Sequence, residues 1–132
     1  MVVPMVRRKL ALNKGLLIFR AKIKSKAGSI LLKMALDTGA TFTMIPPDAA
    51  KAIGVNPALS NRMKEVTTGS GSVHCPLVTI PEFTALGSTV RNLEVFCHTL
   101  PPESPVDGLL GLNFLGRFDL RLAFKQGFLE IR

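Results

Sequence analysis

The residue in this sequence best placed to do chemistry is an aspartate that follows directly on an apolar run. Residues Met34-Ala35-Leu36-Asp37-Thr38-Gly39-Ala40-Thr41 deliver the carboxylate of Asp37 into a turn made by Thr38 and Gly39. A carboxylate delivered by core residues is costly unless it is hydrogen-bonded or has a chemical use. Gly39 permits a tight turn and close approach of another backbone, and the Thr38 hydroxyl can bond across to a partner. Alone, the triplet is weak, because an Asp-Gly-type turn between a strand and a loop requires no chemistry at all.

Other chemistry-bearing residues have plainer readings. His74-Cys75 and Cys97-His98 together supply four zinc-ligand types. Both pairs fall in strand-like segments, where neighbours point to opposite faces, so the His and Cys of one pair do not converge on one ion. The spacing also lacks a C-x-x-C knuckle. We therefore expect no metal site and two buried or half-buried thiols. Asp107 precedes a second glycine motif, but no Thr/Ser-Gly follows it, so a turn or hydrogen-bonding role is expected. Asp48 reads as a helix-start residue and Asp119 as an exposed strand position.

The elements that would hold Asp37 are mostly short strands punctuated by Gly and Pro. Residues 16–24 and 29–36 form a hairpin around Lys26-Ala27-Gly28, ending at Asp37. Pro46 and Pro47 stop the next strand and open a short helix over 48–53, with Gly54 as its C-terminal cap. Residues 62–67 and 72–80 flank Thr68-Gly69-Ser70-Gly71, a hairpin with a glycine-rich tip. Segments 83–86 and 89–98 follow, with a turn at Gly87-Ser88. A proline-rich loop over 100–105 leads to Leu109-Leu110-Gly111-Leu112-Asn113-Phe114-Leu115, a strand end running into a short helix. A closing hairpin turns at Lys125-Gln126-Gly127. This pattern predicts an all-β fold, a small closed barrel with one or two short helices.

Taken together, these motifs resemble the retropepsin-like aspartic proteases, retroviral-type enzymes with cellular and bacterial relatives. That family runs apolar-apolar-Asp-Thr/Ser-Gly-Ala, then a flap hairpin, then apolar-apolar-Gly-x-Asn/Asp before a short helix. Here the elements are Ala35-Leu36-Asp37-Thr38-Gly39-Ala40, residues 66–73 and residues 109–113, in the right order and within residues 16–131. The version Asp107-Gly108-Leu109-Leu110-Gly111-Leu112-Asn113 is similar to that of the bacterial members.

The resemblance implies an aspartic endopeptidase, without cofactor or metal, acting on an extended peptide. Each subunit of a homodimer would give one Asp37, with the two carboxylates meeting on the two-fold axis. Two carboxylates in contact cannot both ionise readily, so one serves as base to a water while the other donates to the scissile carbonyl. The resemblance further implies that Thr38 bonds across the dimer, that Gly39 and Ala40 support the active-site loop, that Thr68, Gly69, Ser70 and Gly71 form the flap tip, and that Leu110, Gly111 and Asn113 form the second motif. Apolar positions Ile45, Val73, Leu109 and Leu110 are expected to line the substrate pockets. The chain also departs from the family: retroviral members commonly carry an acid two residues beyond the Gly and an Arg after the second-motif Gly, where this sequence has Thr41 and Leu112. A catalytically silent peptide-binding or dimerisation module of the same fold is the alternative.

Length and charge frame these expectations. The chain has 132 residues, 47% of them hydrophobic, and a formal charge of +8. That fits one domain, assigned to residues 15–132, preceded by a basic leader over 1–14. Nine of the 17 basic residues precede the first acid, Asp37. A nucleic-acid partner is disfavoured, because Trp and Tyr are absent and stacking platforms are few. No apolar run reaches a membrane span, and the N-terminus lacks a clean secretory pattern. A soluble, cytoplasmic protein is expected, with no disulfide between Cys75 and Cys97.

Overall fold

The computed structural model describes residues 5–13 and 15–132. Eleven strands, two short α-helices and one 3₁₀ turn follow one another: β1 (Val6–Lys9), β2 (Leu12–Asn13), β3 (Leu16–Ser25), β4 (Gly28–Leu36), β5 (Thr43–Ile45), α1 (Pro47–Ala52), the 3₁₀ turn Pro57–Leu59, β6 (Met63–Thr68), β7 (Gly71–Ala85), β8 (Ser88–Cys97), β9 (Gly108–Leu110), α2 (Leu112–Leu115), β10 (Leu120–Ala123) and β11 (Phe128–Ile131). The all-β class is as expected. The large sheet has the order β2-β3-β4-β9-β5-β8-β7-β6, and an added β3–β7 pairing closes its middle six strands into a ring. A second sheet, β1-β11-β10, packs against it through Leu129 and Ile131.

Alternation drives the ring. Along β3, Phe19, Ala21 and Ile23 face in while Arg20, Lys22 and Lys24 face out, the period of two that half-buried strands require. The inward set packs with Met34, Ile80, Phe83, Leu110 and Phe114 in one cluster. The Phe83 and Phe114 rings sit 5.6 Å apart at 55°, within the tilted geometry that aromatic pairs prefer. Helix α1 starts on Pro47 and stops where Gly54 takes φ +80° and donates its N–H to Lys51 O at 2.9 Å.

Two expectations about the elements change. Segments 72–80 and 83–86 merge into one strand, β7, which runs through Pro76 and Pro81 and ends at Ala85, with Leu86 in the turn that follows. Its ladder with β8 pairs Ile80 with Leu93 and Glu82 with Arg91, skipping Pro81, opposite Asn92 at φ +54°. A proline has no N–H to donate, so the strand continues while one rung is lost. The N-terminal segment read as a leader also contains structure. Val6–Lys9 pairs antiparallel with β11, Arg7 lying across from Glu130. Glu130 is buried and accepts hydrogen bonds from Arg121 and from Arg7, the latter at 3.2 Å. Arg7 also lies 4.0 Å over the Phe128 ring. Arg7, read from sequence as part of a solvated basic leader, thus finds acidic and aromatic partners supplied from more than a hundred residues away. Among the described residues, no helix is long and apolar enough to cross a membrane.

Candidate active site

Strand β4 carries Asp37 to the end of the ring. Met34 and Ala35 are buried and Leu36 half-buried, so the strand is fixed by its core side chains up to the residue before the carboxylate. β4 runs parallel to β9, with Ala35 beside Leu109 and Leu36 beside Leu110. The Asp37 N–H extends that ladder by donating to Leu110 O at 3.0 Å. Past Asp37 the chain reverses. Gly39 N–H donates to Asp37 Oδ1 at 2.9 Å, and Ala40 N–H donates to the Asp37 carbonyl at 3.2 Å. One carboxylate oxygen is thereby oriented by the loop's own backbone. A Cβ on Gly39 would stand 3.2 Å from that oxygen. Asp37 is half-buried, while Thr38 and Gly39 are exposed.

The second motif grips this loop from behind. β9 lies between β4 and β5, parallel to the first and antiparallel to the second, so the loop joining β4 to β5 arches over its end. Leu112 N–H donates to Ala40 O at 2.7 Å and Asn113 N–H to Thr41 O at 3.1 Å. The insertion leaves no room for side chains at its ends. A Cβ on Gly108 would meet Met44 O at 2.1 Å, and one on Gly111 would meet the Phe42 carbonyl at 2.7 Å and Ala40 O at 2.8 Å.

Asn113 completes the grip. Its Oδ1 accepts from Thr43 N–H at 2.8 Å and from Thr43 Oγ1 at 2.9 Å, and its Nδ2 donates to Glu94 O at 2.5 Å. Thr43 Oγ1 in turn accepts from Gly111 N–H at 3.1 Å. Thr43 is fully buried, and satisfying a buried polar group in this way is what makes it tolerable. The sequence reading missed Thr43. Its one signal was a hydroxyl in an otherwise apolar strand segment, Thr43-Met44-Ile45.

The hairpin expected to act as a flap is β6–β7, in register from Met63–Pro76 to Thr68–Gly71. Thr68 Oγ1 donates to Gly71 O at 2.8 Å and accepts from Ser70 N–H at 3.3 Å, with Gly71 at φ +120°. Beneath the hairpin lie two connected cavities. One, of about 410 Å³, is lined by Asp37, Gly39, Phe42 and Lys64. The other, of about 750 Å³, is lined by the tip residues Gly69 and Ser70 and by Val73, Leu100 and Pro101. Val66, Thr67, Phe96 and Leu109 border both, so a groove runs from Asp37 under the flap. Lys64 Nζ sits 5.0 Å from the Phe42 ring centre on its wall.

Of the four expected pocket residues, Val73 and Leu109 line this groove. Ile45 and Leu110 do not: both are 0% exposed in the core. The cause is alternation, since Met44 and Leu109 face the groove and their strand neighbours must face inward. Asp107 lies away from Asp37. Its Oδ2 accepts Lys33 N–H at 2.8 Å while its own N–H donates to Lys33 O at 2.7 Å, tying the start of β9 to β4.

The remaining candidates scatter. His74 is exposed across from Glu65, whereas Cys75 is buried with its Sγ 3.8 Å from His98 Nδ1. Among the described residues, no group of three His, Cys, Asp or Glu could hold a metal ion. Burial pushes the Cys97 thiol up to about 11, with the neighbouring Cys75 adding to the effect.

A ring of strands, an Asp-Thr-Gly loop arched over an inserted Gly-bounded strand, and a glycine-tipped hairpin beside a groove match the fold of the retropepsin-like aspartic proteases. The solved structure of a retropepsin-like aspartic protease from Rickettsia conorii aligns with 97% of this chain and 91% of its own, with a TM-score of 0.72 and 18% identity. At that identity the likeness speaks to the fold alone. The family described as "gag-polyprotein putative aspartyl protease" matches residues 24–117, and the chain belongs to that family. A search of curated proteins finds no match.

Proposed function

We propose that this protein is an aspartic endopeptidase whose active site forms when two copies bring their Asp37 carboxylates together. The observation that carries the reading is the position of Asp37 at the mouth of a groove, on a loop whose backbone is bonded on both sides by the second motif. Each chain has one such loop, and acid–base hydrolysis of an amide needs two groups in different protonation states. A pair of carboxylates in contact supplies them, because the second ionisation is opposed by the first charge. The ionised member takes a proton from water, the water oxygen bonds to the scissile carbon, and the protonated member donates to the carbonyl oxygen. The resulting tetrahedral species collapses as the proton passes to the leaving amine. The titration belongs to the pair.

The other residues take supporting roles. Thr38, exposed in the single chain, bonds across the dimer beneath the carboxylates. Gly39 and Ala40 keep the loop narrow enough for a peptide to approach. Thr68, Gly69, Ser70 and Gly71 close over an extended substrate, which adds to the flap edge as a strand. Leu110, Gly111 and Asn113 hold the loop in place. The apolar lining by Val66, Val73, Phe96 and Leu109 suits apolar peptide side chains.

A silent binding module is the second reading, and Thr41 and Leu112 favour it. Both are exposed where a charged pair would brace the loop in retroviral members. The test is cleavage of a peptide library by wild type and Asp37→Asn, with the mass of the particle in solution measured beside it. Cleavage lost in Asp37→Asn while the dimer persists supports the peptidase. Cleavage retained in Asp37→Asn refutes it, as does a wild-type dimer that binds peptides and never turns them over. A strictly monomeric but active protein refutes the shared site.

A further inference from the structure

The outward face of β3 and β4 carries more cationic charge than the acids beside it offset. Arg20, Lys22 and Lys24 alternate outward along β3, and Lys33 stands directly across from Arg20 on β4. Like charges directly opposite on a sheet are destabilising. Among the described residues none of these four side chains forms an ion pair. Two acids lie nearby and are outnumbered by these cations: Glu82, across from Lys24, lies 3.5 Å from Arg91, and Asp107, which accepts the backbone N–H of Lys33, borders one depression with Arg20 and Lys33. Arg8 adds a further cation, lining with Arg20, Lys22 and Leu31 a shallow depression of about 250 Å³. This depression shares no residue with the groove at Asp37.

A cationic sheet face held at a cost in stability calls for an anionic counterpart, and one more residue identifies it. Leu31 is 61% exposed in the middle of this face, across from Lys22 and two residues from Lys33. An exposed leucine gains nothing from a phosphate backbone in water. It gains where headgroup phosphates and acyl chains meet, with the cations at the headgroup level. The face also offers little aromatic surface on which a base could stack, since Phe19, which borders the depression, is packed in the core and only 9% exposed. We propose that the outward face of β3 and β4 docks the protein on an anionic lipid bilayer, through Arg20, Lys22, Lys24 and Lys33 around Leu31.

The test is flotation of the full chain with phosphatidylcholine vesicles and with vesicles containing phosphatidylserine, at low and at physiological salt. Binding is expected to be at least roughly tenfold stronger on the phosphatidylserine vesicles and to weaken with salt, as surface charge attraction does. The exposed triple variant Arg20→Gln/Lys22→Gln/Lys24→Gln, with its fold checked by circular dichroism, should lose that preference. Leu31→Ser should weaken vesicle binding several-fold while leaving binding to single-stranded RNA and to an acidic polypeptide unchanged. Equal binding to both vesicle types, or none to either, overturns the proposal. So does unchanged vesicle binding in the triple variant or in Leu31→Ser, or tighter binding of wild type to RNA or the acidic polypeptide than to the anionic vesicles at the same salt.

Discussion

Replacing Asn113 with alanine should unfasten the loop that carries Asp37. In the native chain the Asn113 amide satisfies Thr43 N–H, Thr43 Oγ1–H and Glu94 C=O at 2.8, 2.9 and 2.5 Å. The Thr43 end of this network is sealed from water. Leaving a buried donor or acceptor unpaired costs about 1–3 kcal/mol per group. Thr43 Oγ1 can turn to find another acceptor, so two groups, Thr43 N–H and Glu94 C=O, carry most of the cost. We expect a loss of about 3–5 kcal/mol, a large share of the roughly 5–15 kcal/mol that stabilises a domain of this kind. For a chain of this length that is a fall in Tm of about 10–20 °C. Asn113→Asp keeps the acceptor and loses the donor, so it should fall between the two. The assay is urea unfolding at one fixed protein concentration, because dimerisation would otherwise shift the midpoint. A double-mutant cycle with Thr43→Val should give coupling above about 1 kcal/mol, since both changes break one network. A loss below about 1 kcal/mol for Asn113→Ala, or strict additivity with Thr43→Val, would show that the amide does not hold the loop.

Three further expectations follow from particular geometries. Gly108→Ala puts a Cβ 2.1 Å from Met44 O, so β9 cannot enter between its neighbours; the variant should lack cooperative unfolding by near-UV circular dichroism, and a native-like melt would refute this. The Arg121 hydrogen bond, aided by Arg7, holds the Glu130 carboxyl below its ordinary value. A lowered native value means that the stabilisation is present above the unfolded-state value and lost as pH falls through the native one; Glu130→Gln should flatten the acid limb of stability against pH, and identical limbs would sink the assignment. With its thiol raised to about 11 by burial and Cys75, Cys97 holds little thiolate near pH 8. Iodoacetamide should leave it unmodified in the native protein while alkylating it in urea, as read by mass spectrometry, and rapid native labelling would contradict this.

The sequence announced those parts of the fold that depend on local rules. Alternation in β3, the proline start and glycine stop of α1, and the hairpin turn at Gly69-Ser70 all arise from neighbours in the chain, and each stands where expected. What stayed hidden depends on distant partners. Nothing near Arg7 indicates that Glu130 will meet it, so residues 6–9 read as leader rather than strand. Ile45 and Leu110 read as pocket residues because apolar type does not reveal which face of a strand looks at the groove. Thr43 was passed over because its partner lies 70 residues on.

That hidden pairing changes how the two glycine motifs relate. In the sequence, Asp37-Thr38-Gly39 and Leu110-Gly111-Leu112-Asn113 are separate signatures. In the fold they form one object: the second is threaded through the gap that the first spans, and backbone bonds from Asp37, Leu112 and Asn113 stitch them together. The constraint is steric before it is chemical, because Gly108 and Gly111 bound a strand whose ends touch backbone on the facing side. A side chain at Gly111 would push the β4–β5 loop outward and move Asp37 with it, and one at Gly108 would drive β9 away from β5. These glycines therefore fix where the Asp37 carboxylate stands through the backbone of its neighbours. The dimeric site proposed above, built on carboxylate contact, would tolerate little error in that position, since misplacing a reacting group by about 1 Å can cost a hundredfold in rate. The rigid insertion behind Asp37 and the open groove in front of it are thus two requirements of the chemistry proposed for it.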